Sequence, residues 1–255
     1  MKQYNNEKYI VSFTSFGKRF NDACKMIFNL RKQTYKNWHL VMTIFEGDVK
    51  DITPNLQLLI DNNMLEVIVA PENLCPHLKY FYAMKKYWDK PIITIDDDRI
   101  YTPNTIEMLV RKYESLNYKS IVPKCAIRYE RKGNIITDRN TWPNNRIRPN
   151  EKSFVAMAEG FAGILYPPKC FNNLDDELPG IRKCLYDDDL YLRVIGIHNK
   201  VPVTQVNGSY GINYDGKDIP SAQEFNLAKH NNAPMRYRAD VTRLFNDELL
   251  KGFSL

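Results

Sequence analysis

Short apolar runs alternate with amphipathic segments through the first hundred residues. The runs are rich in β-branched and aromatic residues, which is typical of buried strands, whereas the segments between them space their apolar residues as helices do. The predicted strands are residues 9–15, 39–45, 65–70 and 92–95, and the predicted helices are residues 20–33, 56–62 and 78–88. Strands and helices that alternate at this spacing predict βαβ units and a mostly parallel central sheet flanked by helices.

The second half of the chain is less regular, and a basic, Asn-rich stretch interrupts it. The predicted helices are residues 105–115, 187–197 and 240–251, and the predicted strands are residues 120–122, 161–166 and 201–206. We find no internal repeat and no linker rich in Gly or Ser. The pattern therefore predicts one α/β domain over residues 1–255, with functional halves at 1–101 and 102–255.

Three consecutive aspartates, Asp96, Asp97 and Asp98, follow the strand at 92–95. Ligands of parallel sheets bind beyond the carboxyl ends of the strands, so these acids should share a rim with Thr14 and Ser15. Neighbouring carboxylates repel one another unless a cation or hydrogen bonds neutralise them, and hard oxygen ligands suit Mg²⁺ or Mn²⁺. The alternative is a solvated turn in which Asp98 caps the following helix.

A second acidic cluster, residues 187–189, opens the helix predicted up to residue 197. Acids in a first helical turn are favoured by the helix dipole, so the cluster needs no functional explanation by itself. Helix capping is the alternative interpretation, but it would use only one of the three acids.

Composition restricts the setting of the protein. Five cysteines are scattered without CxxC spacing, which argues against a zinc site or a disulfide framework and predicts a reducing, intracellular environment. No stretch approaches the roughly 20 apolar residues of a membrane span, and the first eight residues do not resemble a signal peptide.

The net charge of +6 is unevenly distributed. Residues 111–152 contain eleven Lys or Arg and four Asp or Glu, a local net charge of +7. Such a segment can meet nucleic acid, anionic lipid or a phosphorylated substrate, or it can be a solvated surface. Because no nucleic-acid-binding motif accompanies it, we expect no nucleic-acid partner.

Four segments in this order resemble GT-A nucleotide-sugar glycosyltransferases (family 2-like) of bacterial capsules and other surface polysaccharides. They are residues 11–19, 95–101, 160–168 and 188–192. The resemblance, which covers about residues 9 to 210, implies a GT-A fold with a nucleotide-sugar-binding half and an acceptor-binding half. It implies Mn²⁺- or Mg²⁺-dependent, inverting transfer from a nucleotide-diphosphate sugar, with a UDP-sugar favoured, to a hydroxyl of a glycan or lipid-linked acceptor. We accordingly expect a cytoplasmic protein that can be peripheral at the inner face of the membrane.

The resemblance also implies roles for individual residues. Asp189 is the expected catalytic base, with Asp188 as the second choice, and Asp96 and Asp98 are the expected metal ligands. His230 is a further metal-ligand candidate, although a histidine in a polar loop can equally be solvated. The expected donor-binding residues are Thr14, Ser15, Arg19, Lys79, Asp96 and Asp97. For Lys79 the alternative is a surface lysine on an amphipathic helix, and for Thr14 and Ser15 it is the mere end of a strand.

The chemistry of sugar transfer supports this interpretation independently. A cation must neutralise the leaving pyrophosphate, and a base must take the proton of the acceptor hydroxyl. A sugar-phosphate nucleotidyltransferase is a second possibility, but it would want a Gly-rich phosphate loop where residues 16–19 have one glycine. A non-catalytic carbohydrate-binding protein is the third, and it predicts that neither acidic cluster affects any turnover.

Overall fold

The computed structural model describes residues 8–128, 130–132, 135–137, 147, 151–154, 156–206, 216–225 and 246. The strands are β1 (Tyr9–Thr14), β2 (Trp38–Phe45), β3 (Glu66–Ala70), β4 (Ile92–Thr94), β5 (Arg99–Ile100), β6 (Val122–Pro123), β7 (Ala126–Arg128), β8 (Arg131–Lys132), β9 (Ile135–Ile136), β10 (Lys152–Ser153), β11 (Ala156–Ala158), β12 (Ile164–Tyr166), β13 (Val203–Thr204) and β14 (Lys217–Asp218). The α-helices are α1 (Phe20–Leu30), α2 (Pro54–Asp61), α3 (Phe81–Lys86), α4 (Thr105–Ser115), α5 (Leu178–Lys183) and α6 (Asp188–His198). The 3₁₀ helices are Gly17–Arg19, Glu46–Asp51, Cys75–Lys79, Gly160–Ala162, Leu174–Glu177 and Pro220–Phe225.

The central sheet has six strands in the order β3-β2-β1-β4-β12-β6. The first four strands are parallel to one another, and β12 runs antiparallel to both β4 and β6. The predicted mostly parallel α/β sheet is therefore confirmed. Four smaller antiparallel pairs, β10–β13, β7–β11, β5–β14 and β8–β9, lie outside it.

Helices cover both faces of the central sheet. Successive side chains of a strand point to opposite faces, so Ile10 of β1 joins one apolar core while Tyr9 and Val11 join the other. The Ile10 face packs against α3 and α6, and the Val11 face packs against α1, α2 and α4. Because both faces are covered, the carboxyl edge of the strands is left as the place where the sheet can meet a ligand.

The predicted elements differ from the structure in three places. The helix expected at 78–88 is divided into Cys75–Lys79 and α3, because Tyr80 has a φ of −121° that breaks the helical geometry between them. The strand expected at 161–166 begins only at Ile164, after a 3₁₀ turn that ends at Gly163 with a φ of +95°. The strand expected at 201–206 is limited to Val203–Thr204, which pairs with β10 and forms an isolated parallel bridge with Ile121 beside β6.

The remaining predicted elements shift by a few residues or keep their bounds. The helix at 105–115 matches α4, and the strand expected at 120–122 is β6. The terminal helix expected at 240–251 lies outside the described residues apart from Asn246. Within the described part of the chain, none of the helices has the length and apolar character needed to cross a bilayer.

Candidate active site

A cleft of about 1170 Å³ lies at the carboxyl ends of β1, β2 and β4. The loop after β1, the aspartates after β4 and the aspartates that open α6 all line it. The structure thus brings the two acidic clusters, about ninety residues apart in the sequence, to one cavity. The parallel arrangement places the exits of β1 and β4 on the same edge of the sheet, which accounts for the first cluster but not for the acids of α6.

The three aspartates after β4 point to different partners. Asp97 is buried at 5% exposure and lies 2.5 Å from the guanidinium of Arg19. Asp98 is shared between Arg19, at 3.0 Å, and the side-chain amide of Gln223, at 3.3 Å. Asp96 lies 3.0 Å from the ammonium of Lys79. The middle acid is thus directed inward, while Asp96 and Asp98 remain partly exposed to the cleft.

Burial and mutual repulsion dominate the electrostatics of this cluster. Burial raises the pKa of Asp97 to about 7, against the opposing charge of Arg19. Burial and the neighbouring Asp96 raise the pKa of Asp98, again against Arg19. Burial and mutual repulsion therefore disfavour the charged forms of Asp97 and Asp98, and a further cation beside them would offset both effects.

Tyr101 fixes the backbone of this turn. Its hydroxyl oxygen accepts a hydrogen bond from the backbone N–H of Asp96 at 2.8 Å. The same hydroxyl lies 3.2 Å from the carbonyl oxygen of Phe161, to which it can donate. This buried side chain connects the end of β4 to the 3₁₀ helix Gly160–Ala162, whose first residue contacts Asp189 of the second cluster.

The three acids at the start of α6 have separate partners as well. Asp187 is the N-cap, and its carboxylate accepts from the backbone N–H of Leu190 at 3.3 Å. Asp188 is ion-paired with Lys79 at 2.8 Å. Both carboxylate oxygens of Asp189 accept from the backbone N–H of Gly160, at 3.0 and 2.9 Å. Helix capping thus explains Asp187 alone and leaves the other two acids for the cleft.

Asp189 is partly exposed to the cleft but lies in a strongly desolvated place. Burial and the charge of Asp188 raise its pKa well above the usual range of a carboxyl, while Lys79 and the Gly160 amide oppose the rise. A carboxyl that binds a proton more readily than usual is suited to accept one from a substrate hydroxyl.

Lys79 is a buried residue at 5% exposure, so the alternative of a surface lysine is wrong. The cause is the break at Tyr80, which turns residues 75–79 away from the line of α3 and into the cleft wall. Its pKa is raised well above the usual value, because Asp188 and Asp96 outweigh the opposing effect of burial. Lys79 therefore remains a cation between the two acidic clusters.

The other expected site residues lie at the end of β1, with one exception. Thr14 donates its hydroxyl proton to the carbonyl oxygen of Thr43 at 2.7 Å, and it lines the cleft with the buried Ser15 and Arg19. His230 lies outside the described residues, so its expected role as a metal ligand stays a prediction.

A divalent cation fits the side chains of the first cluster. Among the described residues, no group of three or more His, Cys, Asp or Glu side chains is arranged to hold a metal. Mg²⁺, however, is commonly bound by one or two carboxylates, and water and substrate phosphates occupy its remaining coordination positions. Asp96 and Asp98, which repel each other at the cleft surface, supply two such carboxylates.

The cleft contains residues that the sequence analysis did not single out. They include Phe16, Asp48, Asp51, Glu159, Tyr186 and Gln223. Asp48 and Asp51 follow β2 directly, so the rule that pointed to the acids after β4 could have found them. Glu159 follows β11 and Gln223 lies in the 3₁₀ helix after β14; because neither strand belongs to the central sheet, the same rule does not extend to these two residues.

Solved structures share this fold, although no family model matches the sequence and no curated relative is found. TarS 1-349 of S. aureus in complex with UDP-GlcNAc aligns with a TM-score of 0.52 at 10% identity, over 79% of this chain and 56% of TarS 1-349. Its complex with UDP aligns with a TM-score of 0.50, over 79% and 58%. The mannosyltransferase PcManGT of Pyrobaculum calidifontis in complex with GDP-Man and Mn²⁺ aligns with a TM-score of 0.51 at 10% identity, over 97% and 76%.

The chain therefore has the GT-A-like α/β fold of nucleotide-sugar glycosyltransferases. It spans less than three-fifths of TarS 1-349. At 10% identity these likenesses establish the fold, and the activity has to be argued from the site.

Proposed function

We propose that this protein is a metal-dependent glycosyltransferase that moves a sugar from a nucleotide-diphosphate donor to a hydroxyl of a glycan or lipid-linked acceptor. The observation that carries the proposal is the meeting of two acidic clusters in one cleft at the carboxyl edge of a GT-A sheet. One cluster is equipped to hold a cation, and the other presents a carboxyl of raised pKa. Sugar transfer from a nucleotide diphosphate needs both.

On the donor side, Asp96 and Asp98 would hold Mn²⁺ or Mg²⁺, which when bound neutralises the leaving pyrophosphate. Arg19 is ion-paired with both Asp97 and Asp98, so its guanidinium would act on the donor by holding these two carboxylates in place. Thr14 and Ser15 lie where the nucleoside would enter. Neighbours of the same fold bind UDP, UDP-GlcNAc or GDP-Man with Mn²⁺, and we favour a UDP-sugar here.

On the acceptor side, Asp189 would take the proton from the attacking hydroxyl. The N–H of Gly160 fixes the carboxylate at both oxygens, so its orientation does not depend on a flexible side chain. With Asp189 as the base and a cation held by Asp96 and Asp98, the proposed reaction is a single displacement with inversion at the anomeric carbon. Asp188, which is ion-paired with Lys79, is the second choice for the base.

The setting is part of the proposal. Residues 1–101 would form the donor-binding half and residues 102–255 the acceptor-binding half. The positive charge of residues 111–152 suits a phosphate-bearing, lipid-linked acceptor or an anionic membrane surface. We therefore propose a role in surface-polysaccharide synthesis at the cytoplasmic face of a membrane.

Thermal melting with UDP, GDP and other nucleoside diphosphates, each with Mn²⁺ or with EDTA, tests the donor side. A ligand at about 100 times its dissociation constant stabilises a protein by roughly 2.7 kcal/mol. We expect one nucleotide to stabilise the protein by about this free energy in Mn²⁺, and to raise the melting temperature much less in EDTA. Asp98→Asn should remove most of the difference between the two.

Two results would contradict the proposal in different ways. Equal stabilisation with Mn²⁺ and with EDTA would remove the metal from the mechanism but keep the nucleotide. The absence of a shift with every nucleotide, combined with binding of a free glycan, would favour the non-catalytic carbohydrate-binding alternative.

A further inference from the structure

Lys79 joins the two acidic clusters through a single charge. Its ammonium lies 3.0 Å from Asp96 of the first cluster and 2.8 Å from Asp188 of the second. The side chains of Lys79 and Asp188 are almost completely buried, at 7% and 10% exposure, whereas Asp96 retains 28%. One buried cation thus balances two carboxylates that approach it from different parts of the chain.

The surroundings of Lys79 leave it little freedom to move elsewhere. A Cβ at Gly160 would lie 2.8 Å from the Lys79 ammonium and 2.7 Å from a carboxylate oxygen of Asp189. The absence of that atom allows the backbone of Gly160 to approach both side chains at once. Asp189, Gly160, Lys79 and Asp96 therefore form a continuous chain of contacts from the acceptor side to the donor side.

Because the ammonium is shared, the two carboxylates compete for it. A cation or donor that engages the more exposed Asp96 draws this carboxylate away from Lys79, and the ammonium then serves Asp188 alone. If Asp188 is absent, Lys79 stays with Asp96 and opposes the incoming cation. Binding of a cation or donor at Asp96 must therefore alter the free energy of the ion pair between Lys79 and Asp188, and the reverse.

We propose that Lys79 is a positioning residue that couples donor binding to the arrangement of the acceptor-side carboxylates by transfer of its ammonium from Asp96 to Asp188. The coupling rests on the proposed function, because it presumes that a cation and a nucleoside diphosphate enter at Asp96. The sharing of the ammonium itself does not depend on that function.

The first test measures the sharing by thermal melting without any ligand. Lys79→Met leaves two carboxylates without their cation and should lower the melting temperature. Addition of either Asp96→Asn or Asp188→Asn should then restore roughly half of the loss, because each removes one uncompensated charge. If Lys79→Met does not fold, recovery of a folded protein by either second substitution gives the same answer.

The second test measures the coupling by calorimetric titration of UDP, or GDP, with Mn²⁺. Asp188→Asn should weaken binding about 10-fold when residue 79 is Lys, a typical size for coupling between two sites. It should change binding less than twofold in the Lys79→Met background, and also in EDTA. Lys85→Met is the matched control, since Lys85 pairs with the exposed Asp175 at 2.5 Å outside the cleft and should alter neither measurement.

Each result decides the inference. Rescue of Lys79→Met by Asp188→Asn alone would show that the ammonium belongs to the acceptor side only. Equal weakening by Asp188→Asn with Lys or Met at position 79 would show a direct effect of the Asp188 charge and would overturn the coupling. A wild-type protein that binds neither nucleotide would refute the proposed function and the coupling, while the melting comparison would still decide whether the charge is shared.

Discussion

The six aspartates in two runs of three have different local surroundings. Asp97 is held by the buried Arg19, and Asp187 caps α6. Asp96 and Asp188 share Lys79, and Asp189 is bound by a backbone amide. Residue type alone cannot make this distinction, since the same carboxyl group serves as cap, counter-ion and candidate base. The neighbours supplied by the fold assign the roles.

Asp189→Asn tests the role of the base at the scale of one residue. The substitution keeps the size of the side chain but removes its basicity, so transfer should fall by ~10²–10⁴-fold while nucleotide binding stays nearly intact. The measurement is the rate of nucleotide release with acceptor present, alongside the melting shift with nucleotide and Mn²⁺.

Asp188→Asn is the internal comparison for that experiment. With nucleotide and Mn²⁺ at saturation, loss of transfer in Asp188→Asn with retention in Asp189→Asn would move the base by one residue and keep the mechanism. Near-normal transfer in both variants would mean that the base lies elsewhere.

Single elements show how far the sequence could predict the structure. The apolar spacing of residues 105–115 gave the bounds of α4 because one face of that helix packs on the sheet and the other is solvated. The pattern at 78–88 did not reveal the break at Tyr80, since a change of one φ angle leaves the spacing of apolar residues almost unchanged. The burial of Lys79 depends on that break, so it could not be predicted from the sequence.

The same limit applies to the elements that complete the cleft. The hydroxyl residues Thr14 and Ser15 at the end of β1 and the acids after β4 could be expected at one rim from the parallel sheet alone. Gln223 reaches Asp98 through the pairing of β14 with β5, a contact between residues more than a hundred positions apart. No local pattern in the sequence reports such a contact.

Glu66 of β3 connects three elements and gives a prediction about pH. It lies 2.7 Å from His39 of β2, 2.8 Å from Lys86 at the end of α3 and 2.7 Å from the hydroxyl of Tyr87. Burial alone would raise its pKa, but these hydrogen bonds outweigh burial and lower the pKa to about 2. A lowered pKa stabilises the fold at every pH above the unfolded value of about 4.3, and this contribution is lost as the pH falls through about 2.

Glu66→Gln should therefore destabilise the protein at pH 7 by an amount on the order of 2–3 kcal/mol. The difference from the wild type should shrink as the pH falls from about 5 toward 2. Denaturant unfolding over this pH range measures it, with the exposed Glu46→Gln as the control. A difference that stays constant with pH would mean that Glu66 contributes by packing and not by charge.

At the scale of the whole molecule, charge is unevenly distributed along the chain. The cleft gathers carboxylates, while residues 111–152 carry a net charge of +7. In the described part of this segment, Arg128 of β7 is ion-paired with Glu151, and Lys132 of β8 is exposed. Under the proposed function, the acidic cleft and the basic segment would allow one protein to hold a metal-bound nucleotide and an anionic acceptor or surface together.

Replacement of Arg128, Arg131 and Lys132 by Gln tests the basic segment. Binding to vesicles that contain anionic lipid should weaken, and the effect should be larger at low salt because screening is smaller there. Lys32, Lys36 and Lys50, which are exposed elsewhere, provide a control of equal charge when changed to Gln. If the unaltered protein does not bind the vesicles, the segment serves an acceptor and not a membrane.

The contact between Gly160 and Asp189 has a consequence for how such proteins diverge. The group that orients Asp189 is a main-chain amide, which every amino acid except proline provides. Most of the surrounding loop can then drift in sequence without loss of that contact, whereas position 160 is restricted because any Cβ would meet Asp189 and Lys79. A site held together by main-chain contacts restricts few residue types, so sequence comparison has few positions to detect. Solved structures of the same fold at 10% identity are accordingly easier to find by shape than by alignment of residues.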